Sequence, residues 1–281
     1  MIKLVTIDID DTLVNSAKQI TPRVKAAVKA ATAAGIKVVL TTGRPLTGVQ
    51  GYLDELGLNH QDDQYVITYN GALVETTAGE AIAGKELSAT DYADLVAWSV
   101  KLDTYLQVES LDTAYTTSRL INPSASRENY MVDMPLRVSP LEDMPADLHY
   151  VKCMFIGPSE QLAMVENTLP AEIKARFNLV KSNVDFLEVL NPQASKGNAL
   201  ATLAAYLDIP LAQTMALGDQ ANDLSMIKQA GLGVAMGNAI PEVKTAAKAV
   251  TTTQNEDGVG LALEKWALNQ TVPELEKESA N

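Results

Sequence analysis

The sequence predicts an α/β fold: a parallel sheet flanked by helices, with an α+β module inserted into it. Three observations carry this expectation. Apolar runs at residues 4–7 and 36–40 flank a helical stripe of Val24, Ala27, Val28 and Ala31, a strand–helix–strand unit with short links. The same rhythm returns at Ser195-Lys196-Gly197 and runs to the end of the chain. Between about residue 82 and residue 190 it breaks into mixed strands and helices. The expected division is a discontinuous core of residues 1–82 and 191–270, an insert of residues 83–190, and an acidic tail at 271–281.

The first strand runs out into Ile7-Asp8-Ile9-Asp10-Asp11-Thr12-Leu13, and the chain is organised around this stretch. Asp8 and Asp10 are two residues apart, and in an extended chain alternate residues point the same way. Paired carboxylates at a strand end call for a positive partner, and hard oxygen ligands favour Mg2+ or Ca2+. Taken alone, the stretch fits an Asp-bonded turn as well as a cation site. An EF-hand reading fails, because its Gly and Glu positions fall on Leu13 and Gln19.

Thr21-Pro22 is a helix start, with Thr as cap and Pro in the first turn, and Gly35 ends that helix. The second strand ends in Thr41-Thr42-Gly43-Arg44-Pro45, which puts a hydroxyl and an unhindered N–H at the carboxyl edge of the sheet. Residues 46–58 read as a helix, residues 65–69 as a third strand, and Asn70-Gly71 as a hairpin turn into a returning strand at Leu73 and Val74.

Within the insert, residues 90–102, 160–169 and 172–175 read as helices, and residues 105–108, 114–117, 150–156 and 186–190 as strands. Residues 119–147 are polar and rich in Pro, Ser and Asp, and read as partly looped. Residues 79–85 fit the first seven positions of a P-loop, but Glu86 stands where Ser or Thr is needed. Residues 231–237 miss the dinucleotide fingerprint by one glycine position.

After the insert, Ala199, Leu200, Leu203, Ala204 and Leu207 form a helical stripe that places Lys196 in the first turn, against the helix dipole. Residues 214–217 read as a strand ending in Gly218-Asp219-Gln220-Ala221-Asn222-Asp223. A helix cap explains Asp223; it explains three oxygen-bearing side chains in one turn less well. Residues 233–236 read as the last strand, and 242–249 and 258–268 as the last helices.

Composition narrows the classes. The chain has 281 residues, 47% of them hydrophobic and only 5% aromatic, so its cores are expected to be aliphatic. A formal net charge of −13 argues against nucleic acid or an anionic membrane as partner. A single cysteine, Cys153, excludes an intrachain disulfide and a thiolate metal cluster, and its strand-like setting marks a buried inert thiol. The two histidines, His60 and His149, sit in no motif. No signal segment and no apolar run of membrane-spanning length are present, so a cytoplasmic protein, a monomer or weak homodimer, is expected.

Four segment ends offer chemistry: Asp8 with Asp10, Thr42, Lys196, and Asp219 with Asn222 and Asp223. In this order and on this rhythm they resemble the haloacid dehalogenase superfamily. Thr-Thr-Gly-Arg-Pro, Tyr-Asn-Gly-Ala and the long insert resemble its Cof-type sugar-phosphatase branch. The resemblance implies a Rossmann-like core with an inserted α/β cap of the C2 type. It implies a Mg2+-dependent phosphatase of small phosphorylated metabolites, sugar phosphates above all, working through an aspartyl-phosphate.

Residue by residue, the resemblance makes Asp8 the nucleophile and Asp10 the acid/base. Thr42, with the adjoining Gly43, and Asn70 would contact the substrate, and Lys196 would neutralise charge on Asp8 and the phosphoryl group. Asp219 would hold Mg2+ with the Asp8 carboxylate and the Asp10 backbone carbonyl, and Asn222 and Asp223 would orient or complete that shell. The position after Asp10 is often Gly in this family and is Asp11 here. A phosphomutase on the same site, or a non-catalytic phosphometabolite-binding protein, are the alternatives. The binding-protein reading expects loss of Asp8, Asp10 or Lys196, and all three are present.

Overall fold

The computed structural model describes residues 1–272, so the expected acidic tail lies almost wholly outside the described residues. The chain forms two compact units. The first comprises residues 1–43, 50–83 and 195–281, and the second residues 44–49 and 84–194.

The first unit is built on an eight-stranded sheet. Its strand order is Ala249–Val250, Leu232–Ala235, Thr214–Gly218, Leu4–Asp8, Lys37–Thr41, Tyr65–Thr68, Leu73–Thr76 and Ala81–Gly84. The first six strands pair in parallel, and Tyr65–Thr68 pairs antiparallel with Leu73–Thr76. Leu4–Asp8 lies between Thr214–Gly218 and Lys37–Thr41, with Asp8 beside Thr41. All five of its residues are buried, as expected for a parallel strand covered on both faces. Helix Pro22–Ala33 starts on the Thr21 cap and buries Val24, Ala27, Val28 and Ala31, the stripe read from the sequence.

The second unit carries a six-stranded sheet ordered Asn178–Asn183, Phe186–Leu190, Lys152–Ile156, Tyr105–Glu109, Ala114–Thr116 and Leu136–Val138. The pairs are antiparallel except the last. Alternation sorts its two faces. Leu106, Val108, Cys153, Phe155, Leu187 and Val189 pack with Tyr92 and Leu95 of helix Ala89–Lys101 and with Leu162 and Val165 of helix Ser159–Thr168. The intervening positions include the buried Glu109, Lys152 and Glu188, where Lys152 Nζ lies 3.2 Å from each carboxylate. Cys153 is buried in the apolar layer, and burial holds its thiol well above the ordinary range.

Several elements differ from expectation. The stretch read as partly looped holds helix Pro123–Met131 and the edge strand Leu136–Val138. Asn178–Asn183, Ala81–Gly84 and Ala249–Val250 are strands the sequence pattern did not mark. The helix expected from residue 46 begins at Gln50, because Pro45 to Val49 are taken up by turns, and residues 44–49 belong to the second unit. The helix expected over 242–249 spans only Pro241–Ala246. No helix among the described residues is long and apolar enough to cross a membrane.

Candidate active site

Open parallel sheets present ligand sites where strands end at their carboxyl edge. Asp8, Thr41 and Gly218 end three adjacent strands there, and Asp219 follows Gly218 directly. Helix Lys196–Tyr206 begins with Lys196, capped by the Ser195 hydroxyl. These junctions bring together most of the residues singled out from the sequence.

The centre is a buried charge cluster. Lys196 Nζ donates to Asp8 Oδ1 at 2.5 Å and to Asp223 Oδ1 at 2.6 Å. The Lys196 side chain is fully buried, an unusual place for a lysine unless it is paired. Burial works against its charge, but the Asp223 and Asp8 carboxylates outweigh it and hold the ammonium above the ordinary lysine range. Burial lifts Asp8 instead, and Asp223 adds to the rise against Lys196, to about 8. Asp219 accepts from the Thr12 hydroxyl at Oδ1, 2.9 Å, and from Gln220 Nε2 at Oδ2, 3.1 Å. Burial raises it to about 6, with the Thr12 hydrogen bond opposing.

Asp223 does two jobs with one carboxylate. Its Oδ1 takes Lys196, while its Oδ2 accepts the backbone N–H groups of Asp219 and Gln220 at 2.9 and 3.0 Å. The helix-cap reading of this residue therefore holds alongside its contact with Lys196. Ligand atoms of Asp8, Asp219 and Asp223 all lie within 4.8 Å of one another. Three carboxylates face one ammonium, and hard oxygen donors with surplus negative charge fit a small divalent cation such as Mg2+. Asp223 is bound to the Lys196 ammonium at one oxygen, whereas the donors to Asp219 are neutral, and Asp8 has one oxygen beyond its Lys196 contact.

Asp10 stands apart from that trio. It lies in the turn Ile9–Leu13, and its Oδ1 is 3.1 Å from Lys18 Nζ at a half-exposed position. The turn needs a left-handed residue, and Asp11 supplies it at φ 59°. This accounts for Asp where the resemblance often finds Gly, since Asp enters that region more readily than most side chains.

Thr42 is buried, its N–H donating to Ile67 O at 2.9 Å and its carbonyl accepting from Asn70 N at 2.8 Å. The Asn70 side chain lies over Gly43, where a Cβ would stand 3.0 Å from Asn70 Nδ2. Asn70 Oδ1 in turn accepts from Asn222 Nδ2 at 3.1 Å. Thr42, Gly43, Asn70 and Asn222 thus form one polar group. The Asn70 hairpin is unusual in placing Tyr69, Asn70 and Gly71 all at positive φ.

Sequence reasoning placed Thr12 in the Asp8–Thr12 stretch but gave it no role, and it missed Lys18, Gln220 and Asn238. Asn238 Nδ2 donates to Asp11 O at 2.8 Å and lies 3.4 Å from Asp219 Oδ2. The Thr12–Asp219 contact joins residues 207 positions apart, so the local pattern that includes Thr12 does not reveal its partner.

The profile of the haloacid dehalogenase-like hydrolases matches residues 5–263. YxeH of Bacillus subtilis strain 168, a candidate phosphatase, is 42% identical over 269 residues, covering 95% of this chain and 99% of the relative. An HMP-PP phosphatase of Serratia proteamaculans is 29% identical, covering 87% of each chain. A haloacid dehalogenase-like hydrolase from Bacteroides thetaiotaomicron superposes with a TM-score of 0.83 at 30% identity, covering 94% of this chain and 99% of its own. The matched span includes every segment that builds the charge cluster, and the chain belongs to the haloacid dehalogenase-like hydrolases, among their phosphatases.

Proposed function

We propose that this chain is a Mg2+-dependent phosphatase of small phosphorylated metabolites, sugar phosphates foremost, that carries the phosphoryl group on Asp8. The observation that supports this reading best is the contact of a buried Lys196 with Asp8, beside Asp219 and Asp223 at the ends of adjacent strands. A phosphomonoester brings further negative charge, and phosphoryl transfer is governed by positioning and charge stabilisation.

In the proposed first step, an Asp8 carboxylate oxygen bonds to phosphorus as the bond to the leaving alcohol breaks. Asp10 gives that alcohol its proton. In the second step, Asp10 takes a proton from water, the water oxygen bonds to phosphorus, and the Asp8–phosphorus bond breaks to release phosphate. Lys196 stays charged throughout and offsets the charge shared by Asp8 and the phosphoryl oxygens. The Thr42 hydroxyl and the Asn70–Asn222 pair hold those oxygens in place, with Gly43 leaving room for Asn70. Asp8 and Asp219 would hold Mg2+, with the Asp10 carbonyl, and Asn222 and Asp223 would orient that set. When bound, the cation supplies the positive charge that keeps a buried carboxylate ionised. Selectivity among metabolites is assigned to the inserted unit.

The test is phosphate release from a generic aryl phosphate, with and without Mg2+, for wild type and Asp8→Asn. Mg2+-dependent turnover lost in the variant supports the mechanism. Turnover that survives Asp8→Asn refutes it.

A further inference from the structure

The turn that carries Asp10 is closed by one backbone bond of its own, from Val14 N–H to Ile9 O at 3.1 Å. Asp10 at φ −74°, ψ 124° and Asp11 at φ 59° interrupt any helical repeat between Ile9 and Leu13. Contacts from elsewhere in the chain add to this bond: the Thr12 hydroxyl reaches Asp219, and two asparagines hold the turn and the loop after it. Asn238 Nδ2 donates to Asp11 O at 2.8 Å, and the same nitrogen is 3.4 Å from Asp219 Oδ2. Asn238 Oδ1 accepts the Gln254 N–H at 3.2 Å. One residue further on, Asn255 Oδ1 accepts the Ser16 N–H at 3.0 Å, and its Nδ2 donates to Ser16 Oγ at 3.0 Å.

The backbone around Asn238 is already secured without its side chain. Met236 N–H bonds Gly218 O, Gly237 N–H bonds Thr252 O, and Ile240 N–H bonds Asp219 O. The Asn238 amide instead spans three segments: the turn after Asp8, the carboxylate after the next strand, and the loop after the last strand. A carboxamide suits this task, with two N–H donors for two oxygens and one oxygen for a backbone donor.

We propose that Asn238 is a positioning residue for the reaction. Its amide sets the Asp219 carboxylate and the Asp10 turn at a fixed mutual distance, so that a cation ligand and the acid/base group are pre-arranged. Asn255 anchors the loop that follows this turn through Ser16. This inference rests on the phosphatase reading above and deepens it.

The test compares wild type, Asn238→Ala, Asn238→Leu and Asn255→Ala. Leu keeps the Cγ-branched shape, at a larger volume, and removes the donors and the acceptor, so it fills the site and remains informative where Ala fails to fold. Mg2+ binding to the substrate-free protein is measured by titration calorimetry, beside kcat and KM for an aryl phosphate and a thermal melt. Partners that orient a metal ligand typically change affinity by roughly 10–100-fold. Both Asn238 variants are expected to weaken Mg2+ binding by about tenfold and to lower kcat by at least as much, with KM within about twofold. Asn255→Ala is expected to lower kcat with Mg2+ affinity unchanged. A folded Asn238 variant with wild-type Mg2+ affinity and kcat overturns the proposal, whatever its melting temperature. Wild type without turnover refutes the phosphatase reading instead, and the calorimetric comparison still decides the role of Asn238.

Discussion

Glu75 offers a sharp test of the electrostatics of the first unit, because it is a buried acid with no cation in its account. It lies on strand Leu73–Thr76, is 3% exposed, and accepts the Thr68 hydroxyl at 2.7 Å. Burial raises its carboxyl from 4.5 to about 7, and the Thr68 hydrogen bond only partly opposes this. The folded chain therefore keeps a proton that the unfolded chain releases near 4.5. Between those two values the native state binds more protons, so stability falls as pH rises through the window and levels off above about 7. At about 1.4 kcal/mol per tenfold change in proton affinity, the full loss is on the order of 3 kcal/mol. Glu75→Gln keeps the shape and the acceptor for Thr68 but carries no charge at any pH. Urea unfolding of both proteins at pH 5 and pH 8 isolates the effect, because every other titrating group cancels in the difference. The variant should match wild type within about 1 kcal/mol at pH 5 and exceed it by about 2–3 kcal/mol at pH 8. A difference that is the same at both pH values would refute the reasoning.

The other predictions concern the site itself. Lys196→Met leaves Asp8 and Asp223 without their shared cation. It should lower kcat by about 10²–10³-fold and, by breaking a buried ion pair, cost roughly 3–5 kcal/mol in urea unfolding; a folded variant with unchanged kcat removes Lys196 from the mechanism. Thr12→Val deletes the donor to Asp219 Oδ1 with little change in shape, and calorimetry should show Mg2+ affinity reduced by about tenfold. At Gly71, φ is +90° and a Cβ would stand 2.2 Å from the Ser195 carbonyl oxygen. Gly71→Ala should therefore cost more than the roughly 1–3 kcal/mol of backbone strain alone and lower kcat, since Ser195 caps the helix that begins with Lys196; unfolding curves that superpose on wild type would contradict this.

What was legible in the sequence follows from where local pattern and tertiary demand agree. Asp8, Thr42 and Asp219 each stand at the end of an apolar run, and Lys196 opens an amphipathic helix behind a Ser cap. Sequence and fold impose the same break at those points. Helix Pro123–Met131 was hidden because only Ala125 and Asn129 are buried, so it has no apolar stripe to detect, although the Asn122 cap and Pro123 are a regular helix start. Strand Asn178–Asn183 exists by pairing with Phe186–Leu190, and its Asn, Lys and Ser content carries little strand preference of its own. The roles of Thr12, Gln220 and Asn238 escaped for a different reason. Their contacts to Asp219 are made across turns, and an uncharged side chain with one distant partner leaves no periodic mark. The positive-φ run at Tyr69 and Asn70 is similar: Asn-Gly signals a turn, but nothing local marks a buried Tyr at positive φ or the close approach of Gly71 to Ser195.

The charge cluster also shows why folding and chemistry are hard to separate in this site. Lys196 is placed where a helix dipole disfavours it and where water does not reach it, so it is stable there only through Asp8 and Asp223. Asp223 at the same time folds the turn after Gly218 by accepting two backbone N–H groups, and that turn aims Asp219. One carboxylate thus fixes the lysine with one oxygen and the turn bearing Asp219 with the other. Removing it would release Asp8 from a neighbouring negative charge, which favours the ionised carboxylate, and would also free Lys196 and Asp219 to move. The two effects oppose each other in ionisation and reinforce each other in geometry. On the proposed mechanism, where catalysis depends on positioning, geometry decides, and Asp223 would act by holding Lys196 and the turn bearing Asp219 in place.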